Sequence, residues 1–276
     1  MDFKRVEGIF LVVFLFLNMF LFYVYQEGKT SQDTISTGTI SDNIEERLTA
    51  DEIKIPHKLS DKNRQGYYLS AEESELVVEA KAELKSTEWQ VNDSQLTARP
   101  IRKNEMEIAD SDESKKVEAF ISQKQNVVNG KDYVLNRSET KPGKNYVYNQ
   151  AWEKIPFYDE TSRLSLMISK NDLNRPIIES YEQTYLNNIE PLREQQAVIS
   201  EREAIISLYT NNRLQPSNKI KWINLAYTRI FTVRGKNVYI PAWFVAVESN
   251  KNSVQIERVN AFSSAVISSN ISEVKN

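Results

Sequence analysis

The residues best equipped for chemistry are scarce in this chain of 276 residues. There is one histidine and no cysteine. A histidine general base needs a nucleophile and an orienting acid. His57 sits in Ile55-Pro56-His57-Lys58, and no motif around it marks either partner. Without cysteine there are no disulfides, thiolate zinc sites, iron–sulfur clusters or cysteine nucleophiles. One histidine also rules out a multi-histidine metal site. No G-x-S-x-G occurs, no S-x-x-K stands in a convincing setting, and seven glycines leave little backbone for cradling phosphates. Asp110-Ser111-Asp112-Glu113 offers carboxylates for calcium, but it lacks EF-hand spacing and glycine. Acids at a helix start explain that run equally well. Asn92-Asp93-Ser94, Asn136-Arg137-Ser138 and Asn270-Ile271-Ser272 fit the glycosylation triplet. Thirteen Tyr and four Trp could serve a glycan or peptide site, and they suit strand propensity as well. The net charge of −3, from 35 basic and 38 acidic side chains, argues against nucleic acid as a partner. These residues mark no catalytic, cofactor or metal site.

One polar residue stands out by its surroundings. From Ile9 to Tyr25 the chain reads IFLVVFLFLNMFLFYVY, with Asn18 as its only strongly polar member. As a helix this run spans roughly 25 Å, against about 30 Å for a bilayer core. Lys4 and Arg5 can snorkel at one end, and Phe22, Tyr23 and Tyr25 form an aromatic belt at the other. A cleaved signal peptide needs small residues after the run; Gln26-Glu27-Gly28-Lys29-Thr30 has no such pattern. The run therefore reads as an uncleaved signal anchor. The flanking charges place the N-terminus in the cytoplasm and the C-terminal bulk outside a single-pass cell-membrane protein. Asn18 shares a helical face with Leu11, Phe14, Leu15, Leu21 and Phe22. An amide in hydrocarbon needs a hydrogen bond, which a partner helix, water or its own backbone can supply. Large side chains dominate that face, so a GxxxG-type homodimer is not indicated.

The surrounding elements divide as a cytoplasmic N-terminus (1–8), a transmembrane helix (9–25), an extracytoplasmic stalk (26–50) and two α+β units (51–160 and 161–276). A Ser/Thr-rich stretch over 26–42 and a short helix capped by Ser41 or Asp42 make up the stalk. Gln65 to Leu69 reads as a strand, and Glu75 to Leu84 as either helix or strand. Thr87 to Thr97 reads as a hairpin turning at Asn92-Asp93. A helix is expected over 111–126, with Val117, Phe120 and Ile121 on one face, and a strand at Tyr133–Leu135. Tyr146 to Phe157 and Leu164 to Ile168 form a hairpin closed by Asp159–Ser162. Ser200-Glu201-Arg202-Glu203 has capping-box form and opens a second helix. Long strands follow over Lys221–Val233, Val238–Glu248 and Val254–Ala261, the last two joined by a turn at Asn250–Ser253.

The motif V-Y-x-x-A-W occurs at Val147–Trp152 and again at Val238–Trp243, an offset of 91. The same offset superimposes the expected helices, strands and turns. The fold expected is α+β: an N-terminal transmembrane helix, then two related units of antiparallel sheet with a packed helix. Trp152 and Trp243 are expected in the cores of the two sheets.

Met1-Asp2-Phe3-Lys4-Arg5, followed by Ile9-Phe10, Phe14-Leu15 and Leu17-Asn18-Met19-Phe20-Leu21, resembles the N-terminus of the YycI (WalI) family. Tyr67-Tyr68-Leu69-Ser70, Tyr148-x-x-x-Trp152-x-x-Ile155-Pro156 and Pro241-Ala242-Trp243-x-Val245 are similar to it as well. The resemblance covers essentially the whole chain. It implies a non-enzymatic, single-pass membrane protein of Gram-positive bacteria. Such a protein acts with its sister YycH (WalH) on the sensor histidine kinase YycG (WalK), which controls cell-wall metabolism. Control runs through membrane helices, supported by the outer domains. Asn18 takes the [ND] position of the family pattern, which makes Asn18, Phe14, Leu15, Leu21 and Phe22 the expected partner contacts.

Two other functions remain open on the residues alone. An extracytoplasmic module binding a wall polymer or lipid-linked ligand predicts a concave, aromatic-lined pocket. A wall enzyme predicts a cleft with paired carboxylates or an activated serine.

Overall fold

The computed structural model describes residues 8, 10–22, 43–101, 113–249, 253–267 and 272–273. Ile9, residues 23–42, Asp110 to Asp112, residues 250–252 and Asn270 lie outside the described residues. So do the expected helix cap at Ser41 or Asp42 and most of the segment expected to form a stalk. The chain divides into two compact units, Met1–Ala50 and Asp51–Asn276.

The first unit holds a helix over residues 10–22 and a short helix α1 (Ile44–Ala50). In α1, Ile44 and Leu48 are spaced one turn apart and are both buried.

The second unit carries helices α2 (Val77–Glu83), α3 (Glu113–Ser122) and α4 (Glu201–Thr210). Its strands, in chain order, begin with β1 (Arg64–Gly66), β2 (Leu69–Ser74), β3 (Thr87–Asn92), β4 (Gln95–Pro100), β5 (Tyr133–Leu135) and β6 (Asn145–Trp152). They continue with β7 (Ile155–Pro156), β8 (Arg163–Lys170), β9 (Pro176–Gln183), β10 (Tyr185–Pro191) and β11 (Gln196–Val198). Last come β12 (Lys219–Val233), β13 (Lys236–Glu248), β14 (Val254–Asn260), β15 (Val266–Ile267) and β16 (Ser272–Glu273).

Two seven-stranded sheets result, with β1 and β11 forming a separate pair. Sheet 1 runs β10-β2-β13-β12-β16, with β14 on the far half of β13 and β15 beyond it. Sheet 2 runs β3-β4-β9-β8-β6-β5, with β7 folded back on β6. Among the described strands, pairing is antiparallel except for β12 with β16. The fold is therefore α+β with mostly antiparallel sheets. Sheet 2 is built wholly from residues between Thr87 and Gln183, so residue 160 falls inside its run. Sheet 1 takes β2 from before that run and the rest from after it.

Alternation explains the packing of sheet 2. In β4 and β8 every second residue is buried, which turns Leu96, Ala98, Leu164, Leu166 and Ile168 to one face. Helices α2 and α3 cover that face with Ala80, Val117, Phe120 and Ile121. Tyr181 lies under them, with its hydroxyl donating to the Asn126 carbonyl at 2.5 Å. Strand β13 is buried on both faces along almost its whole length, so it reads as a continuous apolar run and not an alternating one.

The sheets meet edge to edge. After β7 the chain runs beside β12, with Phe157 bridged to Tyr227 in parallel and the Tyr158 N–H donating to the Tyr227 carbonyl at 3.0 Å. Phe157 fills the seam between Tyr227 and Tyr239, ring centroids 5.0 Å from each.

Several local expectations shift. The strand read at Gln65–Leu69 is broken at Tyr67-Tyr68, because β1 pairs with β11 while β2 pairs with β13 and β10. Gly66 permits the approach: a Cβ there would lie 2.9 Å from Pro241 Cγ. Glu75 to Leu84 resolves into helix α2. The β3–β4 hairpin turns at Asp93-Ser94, one residue later than expected, with Asp93 at φ 53°. Trp243 is a buried core residue, its indole N–H donating to the Ile199 carbonyl at 2.9 Å. Trp152 is only half-buried; it lies at the seam, stacked on Tyr67 at 6.0 Å. Strands β9 and β10 were not anticipated.

Candidate functional site

All five residues expected to contact a partner lie on the helix over 10–22. Phe14, Leu15, Leu21 and Phe22 are each more than half exposed. The helix is apolar around its whole circumference apart from Asn18, a pattern that water does not favour. Asn18 Nδ2 donates to the Phe14 carbonyl at 2.8 Å, so its own backbone engages the amide. The bond is the i to i−4 back-bond available to short polar side chains in helices. The described helix of thirteen residues is roughly 20 Å long at the helical rise. No helix among the described residues is long and apolar enough to cross a membrane.

In the second unit a polar cluster lies at the seam between the sheets. Arg229, on β12, reaches Asp159 Oδ2 at 3.5 Å, Glu73 Oε1 at 3.6 Å and the carboxylate of Glu160. Asp159 caps the short turn Glu160–Ser162, accepting from the Thr161 N–H at 3.1 Å and its hydroxyl at 2.6 Å. The Thr161 hydroxyl is thus spent as a donor, so the Tyr239 hydroxyl, 2.7 Å away, donates to it. Asn237 Nδ2 donates to Glu73 at 3.0 Å. Burial raises the Asp159 carboxyl above its usual range, opposed by the Thr161 hydrogen bond and by Arg229. Nearby, the Gln150 side chain exchanges two hydrogen bonds with the Leu186 backbone, at 3.0 and 2.8 Å. These groups clamp β2, β12 and β13 of one sheet to the β6–β8 region of the other. None of them was singled out as functional from sequence, where Asp159–Ser162 read only as a turn.

The arrangement fastens one sheet to the other. His57 Nε2 lies 2.6 Å from Glu201 Oε1 at the start of α4, an acid–base pair with no nucleophile bonded to it among the described residues. No group of three or more acidic, histidine or cysteine side chains among the described residues could hold a metal ion. From the Asp110–Glu113 run only Glu113 is described, and its carboxylate accepts the Gly143 N–H at 2.8 Å. Asn136, read as a glycosylation triplet, is buried and donates to Asn149 Oδ1 at 2.9 Å, so it serves as a structural bridge. An open hollow of about 360 Å³ lies on the β3–β4 hairpin, lined by Glu88, Trp89, Gln90, Thr97, Ala98 and Arg99. Trp89 is the one aromatic among them, which does not match the aromatic-lined pocket that a wall-ligand module predicts.

The profile of the YycI protein family matches residues 30–262, and the chain belongs to that family. The family comprises accessory regulators of the WalK/WalR two-component system. The match begins at residue 30, beyond the apolar run, so it does not rest on the N-terminal motif. No curated protein matches the chain. A similar solved structure is that of an uncharacterized protein from Eubacterium rectale ATCC 33656, at 10% identity and a TM-score of 0.42. The alignment covers 79% of this chain and 91% of that one.

Proposed function

We propose that this chain is a non-enzymatic regulator of the sensor histidine kinase YycG (WalK), acting together with the sister protein YycH (WalH). The observation that carries the reading is the family match over most of the chain. In this reading the apolar segment 9–25 anchors the protein in the cell membrane. Residues 1–8 are cytoplasmic, 26–50 form a stalk, and the α+β body lies outside. The exposed surface of the described helix, apolar apart from Asn18, supports it, since such a surface needs lipid or other helices around it.

A kinase that shifts between two helix packings is biased by whatever binds one packing better. Moving such an equilibrium from 1:99 to 99:1 takes about 5.5 kcal/mol of differential affinity. An interhelical side-chain hydrogen bond in a membrane is worth about 0.6 kcal/mol on average. The bond to Phe14 uses one Nδ2 hydrogen of Asn18, which leaves its second hydrogen and Oδ1 to meet a partner. Asn18 therefore supplies direction, and the packing of Phe14, Leu15, Leu21 and Phe22 supplies most of the preference. Asn18→Leu should lower co-purification with the kinase about threefold and alter expression of the genes it controls. Wild-type values in both measurements would sink the idea.

The outer body also supports descent from two related units. Each has a helix followed by an antiparallel three-stranded arrangement, α3 with β5, β6 and β8, and α4 with β12, β13 and β14. The offset of 91 carries β6 onto the first part of β13 and β8 onto β14, although strand registers differ between the two.

A further inference from the structure

A guanidinium presents its N–H donors as a planar fork that carboxylates take up. Glu139 does so for Arg163, and Asp159, Glu160 and Glu73 gather around Arg229. Two exposed arginines are held differently. The Arg64 guanidinium lies over the Trp243 ring, 5.9 Å from its centroid, and that of Arg193 lies over Tyr68 at 5.3 Å. Among the described residues, neither is hydrogen-bonded or paired with a carboxylate. Stacking fixes the plane of each fork and leaves its N–H edge open.

The two arginines belong to one ribbon. Strand β1 pairs with β11 at Arg64–Val198 and Gly66–Gln196, and beyond them the Leu192 N–H donates to the Tyr68 carbonyl at 2.7 Å. About 13 Å of strand separates Arg64 from Tyr68, the ring beneath Arg193, so no single phosphate or carboxylate reaches both forks. Residues 62–65 and 192–197 of this ribbon are all exposed. They hold Lys62, Arg64 and Arg193 against Glu194 alone, in a chain whose net charge is −3. The neutral side chains among them are mostly amides, at Asn63, Gln65, Gln195 and Gln196, and Leu192 is the only large apolar one.

We propose that this ribbon binds an extended polyol-phosphate chain, with two phosphodiesters of one chain on the Arg64 and Arg193 forks and its hydroxyls on the amides. Repeating anions on a flexible chain suit two cation sites too far apart for one ion. A polyol backbone brings hydroxyls, which both donate to and accept from amides. Single-stranded nucleic acid fits less well, because it binds by stacking bases on bare rings. Tyr68 is already engaged by Arg193 and by Phe262, stacked at 4.6 Å, and Trp243 is only 4% exposed beneath Arg64. A bilayer surface calls for a row of apolar side chains to insert, and the ribbon offers Leu192 alone. The site stands apart from the seam and from the apolar helix, and it does not depend on the kinase reading.

The test titrates the full chain, held in phosphatidylcholine nanodiscs, with poly(glycerol phosphate). Saturable binding is expected, falling steeply with salt as counterions are released. Arg64→Gln and Arg193→Gln should each lower the affinity about tenfold and flatten the salt dependence. Arg64→Lys should restore only part of the loss, because it keeps the charge and gives up the fork. Lys221→Gln, which removes a cation already paired with Glu248 at 3.3 Å, should bind as the unaltered chain does. Poly-glutamate should bind more weakly, having no hydroxyls for the amides. Both arginines are exposed, so circular dichroism of the variants should match that of the unaltered chain. No saturable binding, arginine variants that bind as well as Lys221→Gln, or equal binding of poly-glutamate would each overturn the proposal. Capture of phosphatidylglycerol vesicles without binding of the polymer would overturn it too, and assign the ribbon to a lipid surface.

Discussion

Arg229 stands 14% exposed among Asp159, Glu160 and Glu73, three carboxylates to one guanidinium. Such a cluster cannot be read from a sequence, because Glu73 lies on β2, Asp159 and Glu160 between β7 and β8, and Arg229 on β12. Asn18 could be read, because its signal is local: one amide in an apolar run. What the run could not tell was where the amide would bond, and its own backbone takes it. Gln150 is the residue on which a stability effect should be largest for its size. It is 2% exposed and satisfies both the N–H and the C=O of Leu186 across the seam. Gln150→Leu would leave both backbone groups buried without partners, at a cost of about 3 kcal/mol. Chemical denaturation of the second unit within the full chain should register it; a loss below about 1 kcal/mol would mean that water or a shifted strand replaces the amide.

Among the elements, α4 was the most legible. Its capping box is present at both ends of the reciprocal pair: Glu203 N–H to Ser200 Oγ at 3.2 Å, and Ser200 N–H to Glu203 Oε2 at 2.6 Å. Ser200→Ala should cost about 1 kcal/mol in denaturant unfolding, and Ser200→Asp should recover most of it. An unchanged midpoint for the alanine variant would show that other contacts hold this helix end. Strands β9 and β10 were illegible for the opposite reason. In Pro176–Pro191 the alternation is interrupted by Thr184, whose hydroxyl accepts the Arg163 N–H, and by the bulge at Asn188. Tyr67-Tyr68 misled in the same way: apolar residues that look like strand interior sit where the chain changes sheet. Helix α2 shows tertiary override of local signal, since it starts at Leu76 in a left-handed conformation with no side-chain cap.

For the whole molecule, the seam makes stability depend on tyrosine protonation. Burial pushes Tyr158 and Tyr227, which flank the junction, up to about 12. A phenol whose folded pKa is raised favours the folded state fully below the unfolded value near 10. It loses that contribution as pH rises through the folded value. Stability should therefore hold to about pH 10 and fall between about 10 and 12, with ultraviolet absorbance reporting tyrosine ionisation in step with unfolding. Ionisation of every tyrosine near pH 10 with no loss of structure would contradict the burial of the seam. The interleaved sheets carry a further consequence, for the order in which the chain acquires its shape. Sheet 2 is complete once Gln183 has been made, and β10 follows at once to pair with one edge of β2, but the other edge of β2 waits for β13. At synthesis rates of about 5–20 residues per second, β2 waits on the order of several seconds for β13. A newborn chain thus carries a finished sheet beside a β2–β10 pair with one edge still open, and that interval is when a chaperone would be needed most.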